Sequence, residues 1–191
     1  LQHFGIMMAE HTARTFEALD VLLRETSTDL SQNQRDWEKW DESRGWQYIA
    51  QRHSRAMPQL RDLIVFDRLG NQRYISTYFP APKINVRDRP YFQALESGAE
   101  AATFGPYIGR NTGRYTYAIA RRITSTSGSF AGTVGIALDR AYVANYYREN
   151  DLGKGGVIVL VGMDGIMRAR LTTDADVAGQ DIRGAEVFRH V

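Results

Sequence analysis

The chain contains no cysteine. That excludes a disulfide framework and any thiolate metal site, without choosing a cellular compartment. Long apolar runs are also missing. The longest, Gly156–Gly162 and Thr133–Leu138, are strand-sized and fall well short of the ~20 residues a membrane helix needs. Neither sign of charge dominates: 24 Lys and Arg are interleaved with 22 Asp and Glu, for a net +2. A concentrated basic face of the kind nucleic acid requires is therefore not present. The histidines (His3, His11, His53, His190) lack the paired helical spacing of a zinc protease, and no carboxylate joins them in a ligand pattern. Ser43, Ser54, Ser97 and Ser129 occupy no nucleophile elbow. Gly153-Lys154-Gly155-Gly156 precedes a strand rather than a helix, and no Ser or Thr follows its Lys, so it is not a phosphate loop. We expect no catalytic residue, no cofactor and no metal in these residues.

What is present is a chain of 191 residues, 43% hydrophobic, enough for one full core and the start of a second. Residue 1 is Leu, no signal-peptide pattern follows, and the chain stops at Phe188-Arg189-His190-Val191 inside what reads as an opening helix. We expect it to be a piece of a longer protein. Residues 1–32 hold no Pro and only Gly5. Phe4, Met7, Met8, Ala18, Leu19, Val21 and Leu22 recur at three- and four-residue steps, with His11 and Thr15 on the same stripe. This is an amphipathic helix that would reach about 45 Å. Polar groups on its stripe suggest that part of it faces the same helix of a second chain. A second helix runs from Glu42 to Met57, with Trp46, Ile49, Ala50, His53 and Met57 on one face, and Pro58 ends it. His53 on that face reads as a core histidine, and Trp37, Trp40 and Trp46 read as packing.

After Pro58 the period becomes strand-like. Leu63–Phe66 and Gln72–Tyr78 flank the turn Asp67–Asn71 as a hairpin. Arg89-Pro90-Tyr91-Phe92-Gln93-Ala94-Leu95 opens a short helix with Pro in its first turn, and Gly98 closes it. Strands follow at Thr103–Ile108, Tyr115–Ile123 and Phe130–Leu138. The fold class is α+β: a long N-terminal helix packed on a five-stranded antiparallel sheet. Leu63–Ser76 and Ile158–Leu171 share the order apolar strand, Gly turn, basic strand, and Gly70 aligns with Gly165. The expected organisation is helices over 1–57, a first sheet domain over 58–140, a linker over 141–156 with a helical bridge at Tyr142–Asn150, and the start of a second similar domain over 157–191.

One constellation carries chemistry. Arg89 stands directly before Pro90, Tyr91 and Phe92, where a loop becomes a helix. A fixed guanidinium beside two aromatics is a carboxylate clamp; the structural alternative is an Arg that pairs with Asp88 or Glu96. In Thr133-Val134-Gly135-Ile136-Ala137-Leu138-Asp139, one strand face is Val, Ile and Leu and covers the long helix. The other, Thr, Gly, Ala and Asp, is too small to fill a core and leaves a hollow.

The ordered set of the long helix, Arg87-Asp88-Arg89-Pro90-Tyr91-Phe92, Phe104-Gly105-Pro106-Tyr107, Gly113-Arg114-Tyr115, Arg121-Arg122-Ile123 and Phe130–Gly135 resembles a known family. It is similar to the double Cache (PDC-type, PAS-like) extracytoplasmic sensor domains of bacterial transmembrane receptors. Leu152–Gly156, Asp164-Gly165 and Arg168-Ala169-Arg170 look like the opening of the membrane-proximal repeat. The later motifs are most similar to sensors of diguanylate cyclases and histidine kinases. The resemblance implies a periplasmic sensor held in the inner membrane by segments outside this sequence. It further implies a small-molecule ligand in the distal unit, a homodimer through the first helix, and a cytoplasmic cyclase or kinase output.

The amino-acid-binding branch of that family has Arg before a Trp-Tyr pair, a Tyr on the next strand, and two aspartates for the ligand ammonium. Arg89 and Tyr107 match, and Tyr91 and Phe92 replace the pair. Gly109 and Ala137 stand at the aspartate positions, with Asp139 two residues on as a partial substitute. The expected ligand site is Arg89, Tyr91, Phe92, Tyr107, Tyr117, Gly135, Ala137 and Asp139. The expected ligand is an organic acid in preference to an amino acid. The competing reading is an interaction module that senses a periplasmic partner protein and holds no small molecule.

Overall fold

The structure is a computed structural model. It describes every residue except 1, 35, 55–59, 114, 139–156, 163–164, 172–175, 178 and 186–191. The chain opens with α1 (Gln2–Gln32), a 3-10 turn (Trp37–Lys39) and α2 (Glu42–Ser54). Then come β1 (Leu60–Asp67), β2 (Gln72–Ile75), α3 (Pro90–Glu96), β3 (Ala101–Ile108), β4 (Tyr115–Thr124) and β5 (Phe130–Leu138). These strands form one sheet in the order β2-β1-β5-β4-β3. A second sheet holds β6 (Ile158–Val161), β7 (Met167–Leu171) and β8 (Asp176–Val177) in that order. The fold is α+β with a five-stranded antiparallel sheet, as the change of period at Pro58 predicts. Met57 and Pro58, the linker 141–156 with its Tyr142–Asn150 helix, and Asp139 lie outside the described residues.

Register decides which side chains share a face. Arg121 opposes Val134 and Arg122 opposes Thr133, so consecutive residues of β4 and β5 point to opposite sides of the sheet. The Val134, Ile136 and Leu138 face is joined by Leu63 and Val65 of β1, all of them buried. Helix α1 lies on this side, where Asp20 meets Arg121, and buries Leu19, Leu23, Thr26 and Leu30. These positions follow the 3.6-residue repeat, and each buried Leu contributes about 1.5–3 kcal/mol. The stripe does not cover the sheet along its whole length: His11 and Thr15 are only half-buried and Met7 is 51% exposed.

Helix α2 packs on β1 and β2. Gly45 is required there, because a Cβ would collide with the Tyr74 ring. The Tyr74 hydroxyl lies 3.0 Å from the Trp37 carbonyl and 3.2 Å from that of Trp40, both acceptors. Trp37 and Trp40 are buried, and His53 lies 2.7 Å from the Ser76 hydroxyl and 3.2 Å from the Leu60 carbonyl. These residues hold the helices on the sheet, the packing role their positions predict. At the junction of α1 and α2, Tyr48 (2.7 Å) and Arg52 (2.6 Å) both donate to Asp29. Burial, and then the bond to Asp29, push the Tyr48 hydroxyl well above its ordinary pKa.

The hairpin repeat seen in the sequence is repeated bond for bond. In β1–β2, Gly70 has φ +81° and donates to Asp67; in β6–β7, Gly165 has φ +74° and donates to Gly162. Only a residue without Cβ adopts this conformation cheaply. Val86 donates to Gly70 as Ile182 does to Gly165, and Gln72 donates to Ile84 as Met167 does to Gln180. The isolated bridges Asn71–Asn85 and Ile166–Asp181 correspond, and so do the bonds from the Arg87 and Arg183 amides to the preceding Asn85 and Asp181 side chains.

By compactness the chain forms two units, one of residues 1–103 and 118–138, the other of 104–117 and 139–191. Within the second, Arg168 donates to the Gly105 carbonyl, and a Cβ on Gly179 would lie 3.3 Å from Pro106. The β6–β8 sheet thus rests on the tip of the β3–β4 hairpin.

Candidate functional site

The sheet face opposite α1 is built from small residues. Ala118 opposes Ala137, and Ala120 opposes Gly135. All four are buried. The atoms nearest to a Cβ placed on Gly135 belong to the neighbouring strand, the Ile119 carbonyl at 3.4 Å and Ala120 at 3.5 and 3.9 Å. No atom of a facing layer lies closer than those. The alternation of β5 predicts a hollow over these small residues. At its far end the face is filled: a bulge between Ile123 and Thr124 turns Phe130 onto this side. There Phe130 meets Phe92 edge-on, with ring centroids 5.4 Å apart.

Helix α3 packs on this face of β5. Pro90 occupies its first turn and forces the preceding residue into extended backbone, so Arg89 sits at φ −80°, ψ 135° as the N-cap. The Arg89 amide donates to Val86 and its carbonyl accepts from Gln93, which fixes the backbone from both sides. Its side chain is half-buried, while Tyr91 and Phe92 are buried. Glu96, one of the carboxylates considered as a structural partner for Arg89, lies 3.6 Å from Arg87.

Arg89, Tyr91, Phe92, Gly135 and Ala137 therefore belong to one compact unit, on one helix and the strand beneath it. Tyr107 and Tyr117 belong to the other unit, where both are half-buried and Tyr107 stacks on Phe104 at 5.1 Å. Asp139 lies outside the described residues. The hairpin repeat supplies an internal comparison. The Arg89 amide donates to Val86 as the Ala185 amide donates to Ile182, so the residue that matches Arg89 in the second unit is Ala185. The second repeat has no guanidinium at the clamp position.

Two residues outside the expected ligand site belong to the same face. Asp62 opposes Ala137, is 3% exposed, and accepts from the Thr77 hydroxyl at 2.6 Å and from Arg61 Nε at 2.8 Å. It is in register with Leu63 and Ile64, and alternation from the buried Leu63 places it on the Ala137 side. The apolar run starts only at Leu63, so no periodic signal marks Asp62. The other is Arg122, which donates to the Leu95 and Glu96 carbonyls at the end of α3. Its signal in the sequence is the Arg121-Arg122-Ile123 motif, which by itself assigns it no role.

No family model and no curated protein matches the chain. Solved structures do. The extracellular domain of rpHK1S-Z16, assigned as a histidine kinase, is 25% identical with a TM-score of 0.85, over 100% of this chain and 76% of that one. The ligand-binding domain of the Pseudomonas fluorescens chemoreceptor CtaA, in complex with L-alanine, is 19% identical with a TM-score of 0.71, over 97% of this chain and 76% of the other. The ligand-binding domain of the Pseudomonas aeruginosa PAO1 amino acid chemoreceptor PctC, in complex with GABA, is 15% identical with a TM-score of 0.67, over 97% and 79%. The chain thus has the Cache/PDC-like fold of the extracellular sensor domains of histidine kinases and chemoreceptors.

Proposed function

We propose that this chain is the extracytoplasmic ligand-sensing domain of a transmembrane receptor, and that its first unit binds a small carboxylate-bearing molecule. The observation that carries the reading is Arg89. Its backbone is held at the head of α3, α3 packs on a sheet face of small residues, and the repeat has Ala185 in its place. Arg89 binds the ligand carboxylate in two parallel hydrogen bonds, and Tyr91 and Phe92 form the apolar side.

The ligand is an organic acid in preference to an amino acid. A buried ammonium left unpaired costs several kcal/mol. Gly109 and Ala137 offer it no carboxylate, and Asp62 already holds Arg61 and Thr77. The chemoreceptor domains of this fold hold L-alanine or GABA, which makes amino acids the necessary comparison. The full receptor is a periplasmic sensor anchored in the inner membrane, dimeric through α1, with a histidine kinase or diguanylate cyclase output.

A thermal-shift screen of organic acids and amino acids tests the ligand class. A ligand at ~100 times its Kd stabilises by about 2.7 kcal/mol, which for a chain of this size is roughly 5–10 °C. Arg89→Ala abolishes the shift and leaves the unliganded melt unchanged. If amino acids alone raise Tm, the organic-acid reading fails and Asp139 and Asp62 become the residues to test. If nothing in either class shifts it, the partner-sensing reading replaces this one.

A further inference from the structure

Arg121 and Arg122 are consecutive on β4, so their side chains leave the sheet on opposite sides. On one side Arg121 forms a two-pronged bond to Asp20 of α1, at 2.8 and 3.0 Å. On the other, Arg122 reaches the last turn of α3, donating to the carbonyls of Leu95 at 2.6 Å and Glu96 at 3.1 Å. Its guanidinium also lies 5.1 Å from the centre of the Phe130 ring. A cation at a helix C-terminus satisfies carbonyls that have no partner within the helix. That matters for α3, which has seven residues and no side-chain cap at its start. A helix that short is not stable alone, so its position is set by what it touches.

The backbone of Arg122 faces α1 as well. Its amide donates to Glu100, next to the first residue of β3, and beyond that point no strand among the described residues flanks the outer edge of β4. Hydroxyls of α1 take that edge: Ser27 donates to the Arg122 carbonyl at 2.7 Å, and the Thr124 amide donates to Ser31 at 3.1 Å. One residue thus holds α1 by its carbonyl and α3 by its guanidinium. All of these groups lie in the first unit.

We propose that Arg122 is the positioning residue that couples α3, which carries Arg89, to α1. A displacement of the last turn of α3 moves the Arg122 side chain. The Arg122 peptide, shared with Ser27 and flanked by the Arg121–Asp20 pair, passes that displacement to α1. The proposal gives the sensing reading a route from α3 to α1, but the contacts and their test require no ligand.

The test is hydrogen exchange on the whole chain, read at three places: the Ser97–Ala99 amides that close α3, the Ser27–Gln32 amides of α1, and the Leu63–Val65 amides of β1 as an internal reference. Arg122→Gln should speed exchange about tenfold at Ser97–Ala99 and at least about threefold at Ser27–Gln32, with β1 within about twofold. Coupling is reciprocal, so Ser27→Ala should in turn speed Ser97–Ala99. Arg122→Lys, which keeps the charge and the stem but not the fork, should give the same pattern at smaller amplitude. An Arg122→Gln effect confined to α3, or no effect of Ser27→Ala on α3, overturns the proposal. So does a rise in β1 that tracks α1 in both Arg122 variants, because α1 and α3 then simply unfold with the whole unit.

Discussion

Gly132 and Gly135 lie three residues apart on β5, and their surroundings predict opposite responses to one added methyl group. At Gly135 the nearest atoms to the new Cβ belong to β4, at ordinary van der Waals distance. Glycine inside a strand costs roughly 0.5–1 kcal/mol relative to alanine through its greater freedom in the unfolded chain. Gly135→Ala should therefore stabilise the unliganded protein by about 0.5–1 kcal/mol, a rise in Tm of about 1–4 °C. At Gly132 the Cβ would collide with the Phe66 carbonyl oxygen, in the backbone of the neighbouring strand, and the backbone sits at φ +154°. Gly132→Ala should cost at least about 2 kcal/mol, because the ladder between β1 and β5 has to move. Scanning calorimetry and urea unfolding of the two variants beside the parent measure both. A larger group extends the test: Gly135→Leu should fill the space over the small-residue face and remove any ligand-induced thermal shift. If Gly135→Ala instead destabilises by more than about 1 kcal/mol, the face is already packed and the hollow does not exist.

The remaining predictions concern the helix, the repeat and the assembly. Arg121, through its hydrogen bonds, holds the Asp20 carboxyl below the usual carboxylate range. Its contribution is present above pH ~4 and lost as the pH falls through the lowered folded-state value. Asp20→Asn should cost about 1–2 kcal/mol at neutral pH and flatten the acid limb of the stability curve; an unchanged limb would show that this pair carries no stability. Ala185→Glu should leave an organic-acid thermal shift intact while Arg89→Glu removes it, and loss in both variants would place the ligand elsewhere. Met8→Glu should move the sedimentation profile toward monomer with the sheet still folded, whereas a monomer before and after the change would refute dimerisation through α1.

Features set by neighbours in the chain were legible without the fold. The bounds of β5 follow from its alternation, α3 from Pro90 and Gly98, and the duplicated hairpin from Gly70 and Gly165, because backbone freedom and turn bonding act over a few residues. Arg89 was legible for the same reason: Pro90 fixes the conformation of the residue before it. What only the tertiary structure decided depends on contacts between distant segments. Asp62 is buried beside Ala137 because β1 pairs there with β5, some seventy-five residues away. Arg122 meets α3 across 27 positions, and Ser27 meets Arg122 across 95. No local pattern records a hydroxyl that fills the open edge of a strand or a guanidinium that closes a helix from the next layer. Which residue of the second hairpin corresponds to Arg89 was likewise decided by bonding, since the match with Ala185 emerges only when equivalent backbone hydrogen bonds align the two repeats.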